Sequence, residues 1–138
     1  MDSTDHAIQQ LIKTHGTNDP FRIATQSKIV VLFEELGKNI WGYYTCINRI
    51  PSIHINNRLD EFGTKFAIAH EFGHHIFHPG INTPFLRKNT LFSIDKIERE
   101  ANHFAIKLMV GNNQPEYGET KQCFLLRCGI PEEFHVFY

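Results

Sequence analysis

The sequence has few cysteines and no long apolar run, and these absences exclude several classes of protein. Its three cysteines, Cys46, Cys123 and Cys128, are odd in number and widely spaced, which argues against a disulfide-stabilised scaffold. We expect each to be a small buried hydrophobic residue. No segment approaches the ~18 apolar residues of a membrane span, and residues 1–16 lack the basic and apolar regions of a signal peptide. The sequence therefore predicts a cytoplasmic protein with no membrane contact.

The chain also lacks an excess of charge of either sign. Fourteen Lys and Arg residues oppose fifteen Asp and Glu residues, which gives a formal net charge of −1. Modules that bind duplex DNA usually carry a basic stripe, so we expect no direct contact with nucleic acid. The length suits one domain with a modest core. We predict a single domain over residues 1–138, with its core at about 18–110 and a short C-terminal segment at 114–138.

The central part of the chain predicts a small β-sheet. Short runs rich in β-branched and aromatic residues are separated by turn signals, a pattern typical of strands. The three predicted strands are Lys28–Phe33, Ile40–Ile47 and Ser52–Asn56. Because the breaks between them are short, we expect an antiparallel arrangement. A sheet of this size needs another layer packed on one face.

Helices are expected to supply that layer. Apolar periodicity predicts helices at residues 4–14, 20–26, 62–78 and 94–110. Pro79 and Gly80 end the first of the two long helices. After a loop at 79–92, Ser93 is the expected N-cap of the second. The predicted fold class is therefore α+β, with a three-stranded sheet packed against two long helices.

Histidine is what the sequence has in abundance, with nine residues in 138, and four of them lie within residues 70–78. His70 and His74 belong to an H-E-x-x-H motif on the first long helix. Residues four apart on a helix lie one above the other, with Cβ atoms about 5–6 Å apart, so both imidazoles can bind one zinc ion. Glu71 lies about 100° around the helix. From there its carboxylate can miss the metal but take a proton from a water bound to it, which predicts Glu71 as the general base.

A catalytic zinc site needs a third protein ligand and an open fourth position. Glu98 and Glu100, both on the second long helix, compete for this role. Helical phase places Glu98 inside an apolar stripe and Glu100 about 100° from its centre. Because a carboxylate on an apolar face is costly unless it is paired or bound to metal, Glu98 is the predicted ligand and Glu100 the alternative.

Other residues are expected to support the site without binding the metal. Asn102 lies on the same side of its helix as Glu98 and can hydrogen-bond a ligating histidine. His78 shares a stripe with the ligating histidines, but three successive turns of a straight helix cannot easily share one ion, so we predict a supporting or structural role. His75 is expected at the surface. Gly73 inside a helix costs about 1 kcal/mol relative to Ala, which indicates that another element approaches closely there.

Two motifs together resemble one known family. HEFGHHIFH at residues 70–78 and EREANHFAIKLM at residues 98–109 are similar to the ImmA/IrrE-type zinc metallopeptidases, a branch of the gluzincin-like zincins. Together with the segment that precedes the first motif, the resemblance covers roughly residues 18–110. It implies that His70, His74 and Glu98 hold zinc and that Glu71 is the general base. It also implies a protein of bacterial, phage or mobile-element origin that cleaves a DNA-binding repressor.

Three functions are compatible with these features. The first is a zinc endopeptidase of narrow specificity that cleaves a helix-turn-helix repressor. The second is a zinc-containing anti-repressor that binds this partner without efficient proteolysis. The third is a structural zinc site in a toxin–antitoxin partner, closed by a fourth ligand such as His78 or a cysteine. For a peptidase, the candidate oxyanion donors are His103, Tyr43 and Tyr117.

Overall fold

The computed structural model describes residues 3–80, 85–86 and 95–138, and it confirms the predicted α+β class. The helices are α1 (Ser3–His15), α2 (Pro20–Gln26), α3 (Glu61–Phe77), α4 (Lys96–Val110) and α5 (Lys121–Arg127), followed by a 3-10 helix (Glu132–Phe137). The strands are β1 (Val30–Glu34), β2 (Ile40–Ile47), β3 (Ile50–Asn56) and β4 (Phe85–Leu86). Ser93 and most of the predicted loop at 79–92 lie outside the described residues. None of the described helices is both long and apolar enough to cross a bilayer.

The sheet is mixed, so the prediction of an antiparallel sheet is only partly right. Its strand order is β1-β3-β2-β4, in which β2 is antiparallel to both of its neighbours but β1 is parallel to β3. Asn48 and Arg49 form the turn of the β2–β3 hairpin, with positive φ angles of 52° and 65°. This tight hairpin occupies one edge of β3 and leaves the other edge to β1. The two-residue strand β4, which the sequence analysis placed in a loop, pairs with β2.

The connection from β1 to β2 crosses the end of β3, and Asn56 holds it there. Its side chain is almost completely buried and donates hydrogen bonds to the carbonyl oxygens of Gly37, at 2.7 Å, and Ile40, at 2.8 Å. The backbone N–H of Asn57 donates to the carbonyl oxygen of Glu34 at 2.8 Å. Because backbone carbonyls removed from water need partners, this one amide side chain stabilises the crossing and the parallel pairing beside it.

The helices pack on one face of the sheet. Buried residues of β3, Ile53 and Ile55, belong to the same core cluster as Ile68 of α3. Along β1, Val31 packs against this core, whereas Val30 is exposed. The alternation along β3 matches a sheet with one covered face. On β1, Phe33 is half-exposed although it lies on the same side of the strand as Val31.

The C-terminal segment contributes residues to the core cluster, which extends beyond the predicted range of 18–110, and the cysteines also differ from the prediction. Phe124, Leu125, Ile130 and Phe134 are buried. Cys46 and Cys123 are exposed and Cys128 is half-buried, and all three are free thiols. Cys46 lies near the hairpin end of β2 and Cys123 in the first turn of α5, and at these places neither element is covered.

Candidate metal centre

Helices α3 and α4 approach each other closely at Gly73. A Cβ atom on Gly73 would lie 2.9 Å from Cδ1 of Phe104 and 3.6 Å from Cα of Ala101. The first of these distances is shorter than real Cβ contacts, so the expected close approach is confirmed. This packing brings the histidines of α3 beside Glu98 and Asn102 of α4.

We expect Gly73→Ala to destabilise the protein by up to about 2 kcal/mol. Overpacking a core costs about 1–3 kcal/mol, and the better helix propensity of alanine offsets about 1 kcal/mol of that. Phe104 cannot easily move, because it is fully buried and its ring contacts those of Phe72 and Phe77. Urea unfolding measures the change. Phe104→Ala removes the contacting atoms Cγ and Cδ1 and serves as the control background, in which Gly73→Ala should cost less. If Gly73→Ala alone made the protein more stable than the unmodified one, the steric explanation would be wrong.

Three side chains that can ligate a metal ion converge between the helices. Nε2 of His70 and Nε2 of His74 are 3.1 Å apart, and Oε1 of Glu98 lies 2.5 Å from the latter and 3.5 Å from the former. The side chains are almost completely buried, with at most 6% of each exposed. Ligands held tetrahedrally at about 2.1 Å from one zinc ion are about 3.4 Å apart. Two of the three separations are close to this value, and the one between Oε1 of Glu98 and Nε2 of His74 is shorter. The group therefore fits one such ion once this carboxylate oxygen moves away from the imidazole.

The hydrogen bonding of this region is incomplete without a cation. Oε1 of Glu98 is buried close to two imidazoles but makes no directed hydrogen bond with the described residues. Both carboxylate oxygens of Glu71 are buried and likewise without a hydrogen-bond partner in the described part of the chain. Buried polar atoms are normally paired, so these carboxylates indicate a missing positive group. Two imidazoles and one carboxylate form a donor set that suits zinc.

Burial and neighbouring charges shift the pKa values in the directions that such a site requires. Burial lowers the pKa of His70, which favours the neutral imidazole that a metal binds. Burial would raise the pKa of Glu98, but the adjacent imidazoles outweigh it and bring the pKa to about 2. Burial, and then the charge of Glu98, raise the pKa of Glu71 well above its usual range. A bound cation would act on Glu71 in the opposite direction.

Two further residues contact the histidines on the side away from Glu98. Oδ1 of Asn102 lies 2.9 Å from Nδ1 of His70. Because an amide oxygen can only accept, His70 carries its proton on Nδ1 and presents the Nε2 lone pair to the site. Nδ1 of His78 lies 3.0 Å from Nδ1 of His74. The structure thus places Asn102 and His78 where the sequence analysis expected supporting residues.

The two competing glutamates have different environments, as helical phase predicts. Glu98 is 4% exposed and lies among the histidines. The side chain of Glu100 is 46% exposed and lies 3.4 Å from Nε2 of His78, a contact that the sequence analysis missed. His75 is half-buried rather than at the surface, and its Nδ1 lies 2.9 Å from the hydroxyl of Tyr44. Both missed contacts join residues far apart in the sequence, so local periodicity carries no signal for them.

Two of the three residues considered as oxyanion donors make other contacts, and the third is fully exposed. Nδ1 of His103 donates to the carbonyl oxygen of Phe137 at 2.8 Å. The ring of Tyr43 stacks on that of His54 with centroids 4.3 Å apart, and Tyr117 is fully exposed. These contacts give no support to an oxyanion role.

A second polar cluster, also missed from the sequence, lies across strands β1, β3 and β2. His54 pairs through Nδ1 with Glu34, and its Nε2 lies 3.1 Å from Oγ1 of Thr45. The stacked ring of Tyr43 lies directly opposite His54 in the register of β2 and β3. Both ring nitrogens of His54 are therefore engaged within the sheet, which indicates a structural role.

Comparison with known proteins agrees with the geometry of the site. The model of one family, Peptidase_M78, described as the IrrE N-terminal-like domain, matches residues 24–136. Uncharacterized immunity region protein 2 of Bacillus phage phi105 is 41% identical over 104 residues, which are 75% of this chain and 66% of that protein. Metallopeptidase ImmA of Bacillus subtilis (strain 168) is 36% identical over 106 residues, 76% of this chain and 62% of that protein.

The matched region thus spans just under two thirds of the length of these relatives. No solved structure matches the chain significantly. The family model nevertheless covers most of the sequence, including α3, α4 and the residues that converge between them. The chain therefore belongs to the Peptidase_M78 family, that of the IrrE N-terminal-like domain.

Proposed function

We propose that the protein is a zinc-dependent endopeptidase of narrow specificity, gluzincin-like in its ligands, which cleaves a helix-turn-helix repressor and relieves repression. The observation that carries this proposal is the convergence of His70, His74 and Glu98 beside the unpaired carboxylate of Glu71. The printed names of the relatives support it, since one is a metallopeptidase and the other an immunity region protein of a phage.

Each residue then has a distinct chemical task. His70, His74 and Glu98 would hold the ion as three protein ligands and leave the fourth position for the reaction. When bound, zinc supplies a Lewis acid that polarises the scissile carbonyl and activates the attacking water. Glu71 accepts the proton of that water on a carboxylate oxygen and delivers it to the nitrogen of the leaving amine. Burial keeps bulk water away from these charges and strengthens their interactions.

Asn102 and His78 would orient the two ligating imidazoles. A hydrogen bond at Nδ1 fixes the ring orientation of a metal-binding histidine, and it also fixes the tautomer when the partner can only accept. Asn102 provides this bond for His70 and His78 provides it for His74. Each imidazole then presents Nε2 towards Glu98, as the short distances within the group require.

A second candidate function is favoured by the burial of the site. His70, Glu71, His74 and Glu98 are 0–4% exposed, so this conformation does not present them to a polypeptide. A zinc-containing anti-repressor that binds its repressor without efficient proteolysis would need no such access. In that case the metal would stabilise the binding surface rather than cleave the partner.

Zinc-dependent cleavage of a repressor distinguishes the two functions. We expect the purified protein to cut a helix-turn-helix repressor encoded beside it at one position. Chelation with 1,10-phenanthroline should stop the reaction, and added zinc, but not magnesium, should restore it. Gel electrophoresis and mass spectrometry of the fragments measure the outcome. A stable complex with an intact repressor would favour the second candidate, and cleavage that persists in chelator would rule out the proposed chemistry.

A further inference from the structure

Polar side-chain contacts link His74 to His78 and His78 to Glu100. Nδ1 of His74 lies 3.0 Å from Nδ1 of His78, and Nε2 of His78 lies 3.4 Å from Oε1 of Glu100. The side chain of His78 is 8% exposed and that of Glu100 is 46% exposed. His78 is also the C-cap of α3, and its backbone N–H donates to the carbonyl oxygen of His74 at 2.8 Å. The end of the helix therefore holds the His78 ring between the two other side chains.

The positions of the protons along this line follow from the geometry when a metal ion is bound and His78 is neutral. Nε2 of His74 faces His70 and Glu98, so a metal ion there requires the proton of His74 to be on Nδ1. That N–H donates to Nδ1 of His78, which must then be an acceptor without a proton. The single proton of a neutral His78 is therefore on Nε2. It faces the carboxylate of Glu100, which can only accept.

His70 and His74 consequently differ in how their tautomers are selected. The amide oxygen of Asn102 can only accept, so it selects the required tautomer of His70 without help. Nδ1 of His78 can either donate or accept, so His78 alone does not select the tautomer of His74. A group that only accepts, placed at Nε2 of His78, removes this ambiguity. Glu100 is such a group.

We propose that Glu100 is a positioning residue of the metal centre, which acts through His78 to select the His74 tautomer that exposes Nε2 to the ion. This inference rests on the proposed zinc site. It assigns a task to a glutamate that helical phase places outside the apolar stripe and that does not lie among the converging ligand atoms.

Zinc affinities of variants of the full chain, measured by competition with a chromophoric chelator, test the inference. His78→Leu should weaken binding about 10- to 100-fold, as loss of a hydrogen-bond partner of a ligating histidine typically does. His78→Asn should restore most of the affinity, because Oδ1 of asparagine lies near the place of Nδ1 and accepts. Glu100→Gln should weaken binding about two- to fivefold, since solvent screens this half-exposed charge.

A double substitution and NMR show whether Glu100 acts through the imidazole. In the His78→Asn background, Glu100→Gln should have no further effect on zinc affinity. Long-range ¹H–¹⁵N spectra of the zinc-loaded protein should show the proton of His78 on Nε2. The control is Glu61→Gln, which alters an exposed glutamate of α3 paired with Lys65, and it should leave the affinity unchanged.

The outcomes separate this inference from the proposed function. If the unmodified protein binds zinc and Glu100→Gln binds it equally well, the inference is wrong and the zinc site stands. An undiminished effect of Glu100→Gln in the His78→Asn background, or a proton on Nδ1 of His78, also overturns it. If the unmodified protein does not bind zinc, the proposed function and the inference both fail. Glu100→Gln keeps the test valid should His78→Leu not fold, because residue 100 is half-exposed.

Discussion

Glu71→Gln is expected to abolish cleavage of the repressor while zinc content and fold persist. Glutamine has nearly the same size as glutamate but cannot accept the proton that the reaction must move. Loss of a general base typically costs about 10²- to 10⁴-fold in rate. The fold should tolerate the change, because the buried carboxylate of Glu71 has no hydrogen-bond partner among the described residues and a neutral amide is less costly to bury. Zinc should remain, because Glu71 lies outside the group of converging ligand atoms.

Three measurements on the Glu71→Gln protein test this expectation. These are repressor cleavage on co-incubation, zinc content by elemental analysis and the circular dichroism spectrum. Glu61→Gln, an exposed glutamate on the same helix, is the matched control and should cleave normally. Unchanged cleavage by Glu71→Gln would show that this carboxylate is not the base. Relief of repression without cleavage would instead favour the anti-repressor that only binds.

Glu98→Gln is expected to remove zinc from the protein. The substitution replaces one of three ligands and takes away the negative charge that two buried imidazoles face. Affinity should fall by more than the about 10- to 100-fold typical of residues that only hydrogen-bond a ligand. An ion that binds only the folded state at 1,000 times its dissociation constant stabilises that state by about 4.1 kcal/mol. Added zinc should therefore raise the melting temperature of the unmodified protein but not that of this variant.

Glu100→Gln is the matched control for Glu98→Gln, since the two residues lie two positions apart on the same helix. It should retain zinc to within about fivefold in affinity, because its charge is screened by solvent, and it should keep the zinc-dependent rise in melting temperature. Loss of zinc from Glu100→Gln together with its retention in Glu98→Gln would overturn the assignment of ligands by helical phase.

Much of the candidate site could be predicted from the sequence because helical geometry is local. The four-residue spacing of His70 and His74 places both on one face whatever the helix packs against. The same periodicity separates Glu98 from Glu100, and the structure confirms the difference in their burial. Gly73 likewise indicated a close approach that its neighbour Phe104 now explains.

The strand order could not be predicted in the same way. The alternation of residues identifies a strand but not its neighbour, and short breaks between strands suggested simple antiparallel pairing. Beside the parallel pairing of β1 with β3, Asn56 donates hydrogen bonds to carbonyl groups of a connection 16 and 19 residues away along the chain. The pairing of Tyr44 with His75 also spans distant residues.

The sequence by itself determined which donors this protein carries, on which helices they lie and which glutamate turns inward, because these properties repeat with the period of a helix. Only the tertiary structure decided how the strands are ordered, that Nε2 of His70 and of His74 meets Glu98, and that Glu100 lies beside His78. Those features depend on the packing of α3 against α4 and of the sheet beneath them. Such packing joins residues that no local pattern connects.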